Sequence, residues 1–166
     1  MATLVELIVE SLILIFPAYS ANAVPVVFGG GQALDFGKKF FDNRPILGSH
    51  KTVKGFAAGL VIGTLVGVGE SYLFHDYSPI LGFVLSLGAL VGDLAGAFLK
   101  RRLGLLPGAS LPIVDQIDFV LGALLLASAI YPVSPLMVGL IVSLTIPIHI
   151  LTNVLAYLAH AKRKPW

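Results

Sequence analysis

Long apolar stretches alternate with short polar segments along this chain, and the polar segments are very unevenly charged. Crossing about 30 Å of hydrocarbon takes about 20 apolar residues at a helical rise of about 1.5 Å each. On that scale, spans are predicted at about residues 4–28, 55–74, 79–99 and 135–158, with a shorter one at about 117–131. Pro17 and Pro25 break or kink the first of these. Tight turns at His75-Asp76-Tyr77-Ser78 and Pro132-Val133-Ser134 join the second span to the third and the fourth to the fifth. The predicted fold is all-α: a polytopic membrane protein of about five transmembrane helices in a single domain, residues 1–166, with loops at 29–54 and 100–116.

Composition agrees with lipid as the solvent. Hydrophobic residues make up 57% of the chain and charged residues 12%, with a mean hydropathy of +0.92; soluble domains carry about 25% charged residues. With no cysteine, disulfides and thiolate metal sites are excluded. Ala21-Asn22-Ala23 has the small residues of a signal-peptide cleavage site, but Met1 to Glu10 contains Glu6 and Glu10 and no basic residue. Signal peptides begin with a basic segment, so the first helix is expected to be retained.

The net charge of +2 matters less than its distribution. Lys38, Lys39, Arg44, Lys51 and Lys54 lie between the first and second spans; Lys100, Arg101 and Arg102 follow the third; Lys162, Arg163 and Lys164 follow the fifth. These are all eleven lysines and arginines, and alternate crossings put them on one side. The positive-inside tendency makes that side cytoplasmic, with the N-terminus outside and the C-terminus in the cytoplasm. Tyr157 and Trp166 fit an interfacial aromatic belt.

Glycines recur every four residues at Gly55, Gly59, Gly63 and Gly67, and again at Gly88, Gly92 and Gly96. Small residues at this spacing let helix backbones approach closely in lipid. They predict packing of the second helix against the third within one chain, or a homodimer through the same faces.

Carboxylates inside a membrane are expensive and mark functional sites. Asp93 lies seven residues before Lys100, roughly 10 Å below the basic surface at helical rise. Asp115 and Asp118 open the short fourth helix, three residues apart and on one face. Negative charges at one depth repel, and a divalent cation relieves that; an all-oxygen set suits Mg²⁺. The alternative for Asp115 and Asp118 is simple capping of a helix N-terminus. Ser49, Lys51, Thr52 and Lys54 precede the second helix, where backbone N–H groups and the helix dipole attract phosphate. Basic residues alone would be explained by anionic lipid headgroups. Together with the carboxylates they point to phosphoryl or nucleotidyl transfer.

The stretch Gly92-Asp93, Leu99-Lys100-Arg101-Arg102, Leu106-Pro107-Gly108 and Asp115-Gln116-Ile117-Asp118 resembles the signature of CTP-dependent phosphatidate cytidylyltransferases. The loop Asn43-Arg44-Pro45-Ile46-Leu47-Gly48-Ser49-His50-Lys51-Thr52 is more similar to one branch, the archaeal CDP-archaeol synthases. Larger bacterial relatives carry a His-Gly-Gly where this chain has Pro107-Gly108-Ala109-Ser110, and an Arg where it has Gln116. The resemblance implies that CTP reacts with 2,3-bis-O-(geranylgeranyl)-sn-glycerol 1-phosphate to give CDP-archaeol and pyrophosphate. It implies Mg²⁺ on Asp93, Asp115 and Asp118. It also implies nucleotide phosphates on Asn43, Ser49, Lys51, Thr52 and Lys54, with lipid phosphate or pyrophosphate on Lys100 and Arg101.

Two other functions fit parts of the pattern. A small cation-coupled transporter should spread polar groups through the membrane depth, often in repeated halves; here they gather toward one end. A CTP-dependent lipid kinase differs only in which phosphate is attacked. His149 and Asn153, four apart on the fifth helix, face either the same cavity or a neighbouring helix. Glu6, Glu10, Glu70, His75 and Asp76 fall toward the opposite end and are expected to be structural or interfacial.

Overall fold

The computed structural model describes residues 3–111 and 113–160, and these form five helices. They are α1 (Leu4–Phe28), α2 (Val53–Leu73), α3 (Pro79–Arg102), α4 (Val114–Ala127) and α5 (Pro135–Leu158). Four of them, α1, α2, α3 and α5, are long and apolar enough to cross a membrane. The protein is an all-α membrane protein. The basic cluster at Lys162, Arg163 and Lys164, and Trp166, lie outside the described residues.

Local chemistry sets most boundaries. Thr3 begins α1 with a capping box: its hydroxyl accepts from the Glu6 N–H at 3.2 Å, and Glu6 Oε2 accepts from the Thr3 N–H at 2.7 Å. Glu6 is thus structural, as expected. Thr52 caps α2, so that helix starts two residues before the predicted Gly55. α3 continues through Lys100, Arg101 and Arg102 instead of stopping at Leu99. Cations are favourable in a last helical turn, beside its free carbonyls. α4 differs most from expectation. It begins at Val114 and ends at Ala127, against the predicted 117–131, so both Asp115 and Asp118 are helical. At 14 residues it is about 21 Å long, short of a full crossing.

Helices consecutive in the chain run antiparallel, and glycines set how closely they approach. In α2 the buried residues are Gly55, Gly59, Gly63 and Gly67 and no others. A Cβ on Gly59 would stand 2.5 Å from the Ala21 carbonyl oxygen and 3.1 Å from a Leu90 methyl. This stripe therefore seats α1 as much as α3, where packing on α3 or on a second copy was predicted. The second stripe serves a different partner. Gly88 and Gly92 pack against the α4 backbone at Gly122, Ala123 and Asp118. Because both stripes are occupied within the chain, they offer no face for the predicted homodimer.

α3 is the central helix. Its Leu81, Leu85 and Ala89 meet Leu14, Ile15 and Ala18 of α1, Phe119, Val120, Ala123 and Leu124 of α4, and Met137 and Ile141 of α5 in one core. α5 is tied to α1 by a Tyr19–Thr145 hydroxyl contact of 2.8 Å. The antiparallel order gathers the C-terminal ends of α1, α3 and α5 and the N-terminal ends of α2 and α4 at one end of the bundle. Residues 29–52 fold back over that end. The Leu34 N–H donates to the Lys51 carbonyl at 2.7 Å, and the Ile46 N–H to the Lys38 carbonyl at 3.1 Å. The second pairing closes a small hairpin with Asn43 in its turn.

Candidate functional site at the basic end of the bundle

Three elements deliver the charged side chains. Thr52, which is buried, holds the first turn of α2 by accepting from the Gly55 N–H at 3.1 Å. That fixes Lys51 just outside the turn, where its ammonium donates to both oxygens of Asp93, at 2.7 and 2.6 Å. From the last turn of α3, Lys100 donates to Asp115 Oδ1 at 2.7 Å. Asp115 Oδ2 also accepts from the Leu111 N–H at 2.9 Å, which anchors the α3–α4 loop.

Asp118 is set beside α3 by glycine. A Cβ on Gly96 would collide with the Asp118 carboxylate, so only a glycine admits that side chain there. Asp118 feels the negative charge of Asp93 and, more weakly, that of Asp115, and its own carboxylate accepts from the Phe119 N–H. The three aspartates are therefore neighbours, but they do not form a ready ligand set. Among the described residues, no group of three carboxylate or imidazole side chains converges as a metal site. Lys51 and Lys100 each take one carboxylate, so the expected convergence is replaced by two ion pairs. The donor chemistry, all oxygen and anionic, still fits Mg²⁺.

Beside these pairs lies a cavity of about 170 Å³, lined by His50, Lys51, Lys100, Arg101 and Asp115 and walled by Pro107-Gly108-Ala109-Ser110. Pockets for whole drug-sized ligands run about 300–1,000 Å³, so this one suits a phosphate-bearing end. Arg101 is the notable wall. It is only 3% exposed, yet its Nε and Nη1 have no hydrogen-bond partner among the described residues. Buried cations require paired donors, and a guanidinium with two unmatched nitrogens in the wall of a cavity suits an anion there.

The loop over the cavity is held by Asp35, a residue that reading the sequence did not single out. Its buried carboxylate accepts from the N–H groups of Gly37 at 3.0 Å, Leu47 at 2.9 Å and Gly48 at 2.8 Å. Burial would push this carboxyl up, but the backbone donors outweigh it and hold it below its ordinary 3.8. Gly48 has φ +99, and a Cβ there would meet Pro107 at 3.1 Å, so glycine lets the two loops close on each other. The signal for Asp35 was the Asp-x-Gly spacing of an Asx turn. His50 was missed too; standing next to Lys51 was its only mark.

The other predicted ligands are placed apart. Asn43 sits exposed in the hairpin turn with φ 60, and Ser49 and Lys54 are exposed outside the cavity lining. Arg102 also turns away, pairing with Asp42 at 2.8 Å. His149 and Asn153 approach each other at 3.5 Å, with the His149 ring 5.9 Å from Phe119, and are not part of the cavity wall.

Fold and site together describe a membrane-embedded protein with a basic, carboxylate-flanked cavity at one end of its helices. Comparison with known proteins narrows that class. The CarS-like family, described as CDP-archaeol synthase, matches residues 4–166. CDP-archaeol synthase of Methanopyrus kandleri is 47% identical over 156 residues, 92% of this chain and 90% of that protein. The enzyme of the same name from Pyrococcus furiosus is 44% identical over 164 residues, covering 96% and 98%. A solved structure described as an intramembrane enzyme for archaeal membrane lipid biosynthesis superposes with a TM-score of 0.82 at 38% identity, covering 89% of this chain and 94% of that one. This chain belongs to the CDP-archaeol synthase family. Its class is that of CTP-using cytidylyltransferases of membrane lipid biosynthesis.

Proposed function

We propose that this protein transfers CMP from CTP to the phosphate of an ether-linked isoprenoid glycerol phosphate, forming CDP-archaeol and pyrophosphate. A lipid phosphate oxygen forms the new bond to the α-phosphorus of CTP. The bond from that phosphorus to the α,β-bridging oxygen breaks, and pyrophosphate leaves with its electron pair. The observation that carries this reading is Arg101, a buried guanidinium with unpaired donors on the wall of a cavity that also holds Lys51 and Lys100.

Each residue then has a task. Arg101 and Lys100 take the β- and γ-phosphates and stabilise the charge that grows on the leaving pyrophosphate. Lys51 bridges between Asp93 and the bound phosphates. Asp93, Asp115 and Asp118 would hold Mg²⁺, which supplies charge neutralisation and alignment on the phosphates. Asp35 and Thr52 keep the loop and the α2 terminus in register beneath the nucleotide. The basic loop of residues 29–54 and the Lys100-Arg101-Arg102 run lie at this end of the bundle, and by the positive-inside tendency that supports a site facing the cytoplasm, where CTP is available.

The test is product analysis with purified protein, Mg²⁺, CTP and the geranylgeranyl ether lipid phosphate. Pyrophosphate and a CDP-lipid are expected in equal amounts. Release of CDP with a doubly phosphorylated lipid would replace this reading with a lipid kinase.

A further inference from the structure

Arg102 sits in the same basic run as Lys100 and Arg101 but belongs to a different surface. Its guanidinium lies 4.8 Å from the centroids of both Phe40 and Phe98. It also reaches the backbone carbonyl of Pro45 and the Asp42 carboxylate. Arg44 answers from the hairpin, donating to the carbonyls of Arg101 and Arg102 at the end of α3. Phe40 meets Phe98 edge-on at 5.3 Å. These contacts pin the hairpin of residues 38–46 alongside the last turns of α3, rather than out in solvent.

Phe98 is four residues short of the α3 C-terminus, about 6 Å inside the helix end. Its neighbour Leu99 is exposed, and Val91, eight residues earlier on the same face, is exposed too. In a helix long and apolar enough to span the bilayer, that face is covered by lipid. Directly beside it, the hairpin presents Phe41, whose side chain packs on Phe40 at 4.9 Å and is otherwise bare, with 96% of the residue exposed. Phe36 is exposed as well, and so are Lys38 and Lys39 on the arm that leads to Phe41. A bare aromatic flanked by cations, at the edge of a lipid-covered helix face, has the composition of an interfacial anchor.

We propose that the 38–46 hairpin is a foot set into the lipid surface: Phe41 enters the margin of the acyl layer, and Lys38 and Lys39 bind anionic headgroups. The occupant is the bilayer, since the foot continues the lipid-facing surface of α3 and its charge complements anionic headgroups. One arm of the hairpin leads through Gly48 to His50 and Lys51. The foot thereby fixes the depth of the phosphate cavity relative to the lipid phosphates around it.

The chain has a single tryptophan, Trp166, so a Phe41→Trp, Trp166→Phe variant carries one reporter at the hairpin tip. The full chain is reconstituted in phosphatidylcholine vesicles, with and without anionic phospholipid, and with bromine near the headgroup or near the chain terminus. The foot predicts blue-shifted emission, quenching strongest by bromine near the headgroup, and further shielding from iodide when anionic lipid is present. Adding Lys38→Gln and Lys39→Gln should remove the anionic-lipid effect and leave the bromine quenching. Water-like emission, quenched by iodide and untouched by brominated lipid, overturns the proposal. Shielding from both quenchers that grows with protein concentration also overturns it, in favour of contact between copies.

Discussion

The two ends of the bundle both carry carboxylates and both carry a cavity, yet they differ in what surrounds the charge. At the far end, a cavity of about 390 Å³ is lined by Glu6, Glu10, Asp76, Tyr77 and Tyr131, with no lysine or arginine in its wall. Glu6 is engaged in the α1 cap, and the Tyr77 hydroxyl reaches the Glu10 carbonyl at 3.5 Å. At the basic end the cavity is smaller, about 170 Å³, but its aspartates lie against lysines, and a buried arginine keeps two nitrogens without a hydrogen bond among the described residues. Volume therefore does not mark the site in this protein. Unbalanced, buried charge does, because its desolvation is compensated only when a ligand of opposite sign arrives.

The comparison can be broken from the strongest effect downward. Asp93→Asn and Asp118→Asn should each lower kcat by about 10²–10³, the range for loss of one preorganised electrostatic group. Helical circular dichroism should stay unchanged, and near-normal turnover in both would detach the carboxylates from the chemistry. A smaller effect is expected at Asp35. Removing its charge with Asp35→Asn should lower stability by about 1–3 kcal/mol, measured by thermal unfolding in detergent, since it weakens charged hydrogen bonds.

The pH dependence of that contribution has a definite sign. The folded carboxyl titrates below its ordinary 3.8, so its stabilisation is full above that value and disappears as the pH falls through the depressed one. The unfolding temperature of the parent should drop in that acid range, and that of Asp35→Asn should drop less. At the bottom of the scale stands the far end. Glu10→Gln should leave turnover unchanged, and a loss approaching that of Asp93→Asn would mean that the two ends are not functionally distinct.

Most of the fold was legible because lipid imposes long apolar runs and charge sorts to the ends. The four long helices and their antiparallel order follow from those two facts. The glycine stripes were legible as close contacts but not by partner, since a four-residue spacing does not say which helix arrives; α3's second stripe turned out to receive α4. α4 was misplaced by a few residues at both ends because apolar residues run on past Ala127 and the helix starts early enough to take Asp115 into its first turn. Asp93, Asp115, Asp118, Lys51, Lys100 and Arg101 were named from the sequence as site candidates, and the structure brings them to one end of the bundle.

What could not be read was pairing: nothing in spacing says that Lys51 takes Asp93, that Lys100 takes Asp115, or that Arg101 is left over. Asn43 was picked as a ligand for its place in a basic loop. Its left-handed backbone conformation in a hairpin turn accounts for an asparagine there on conformational grounds.

Arg101 gives the most direct test, because a buried cation with two unmatched nitrogens should be a liability until an anion binds. Calorimetric titration of Mg²⁺·CTP into parent and Arg101→Met protein measures this, alongside the unfolding temperature of each without ligand. Affinity should fall at least about tenfold, roughly 1.4 kcal/mol, while the ligand-free variant unfolds at the same temperature or higher. Equal affinity for the two proteins, or a variant that binds normally and unfolds early, would show that this guanidinium is structural and that the nucleotide binds elsewhere.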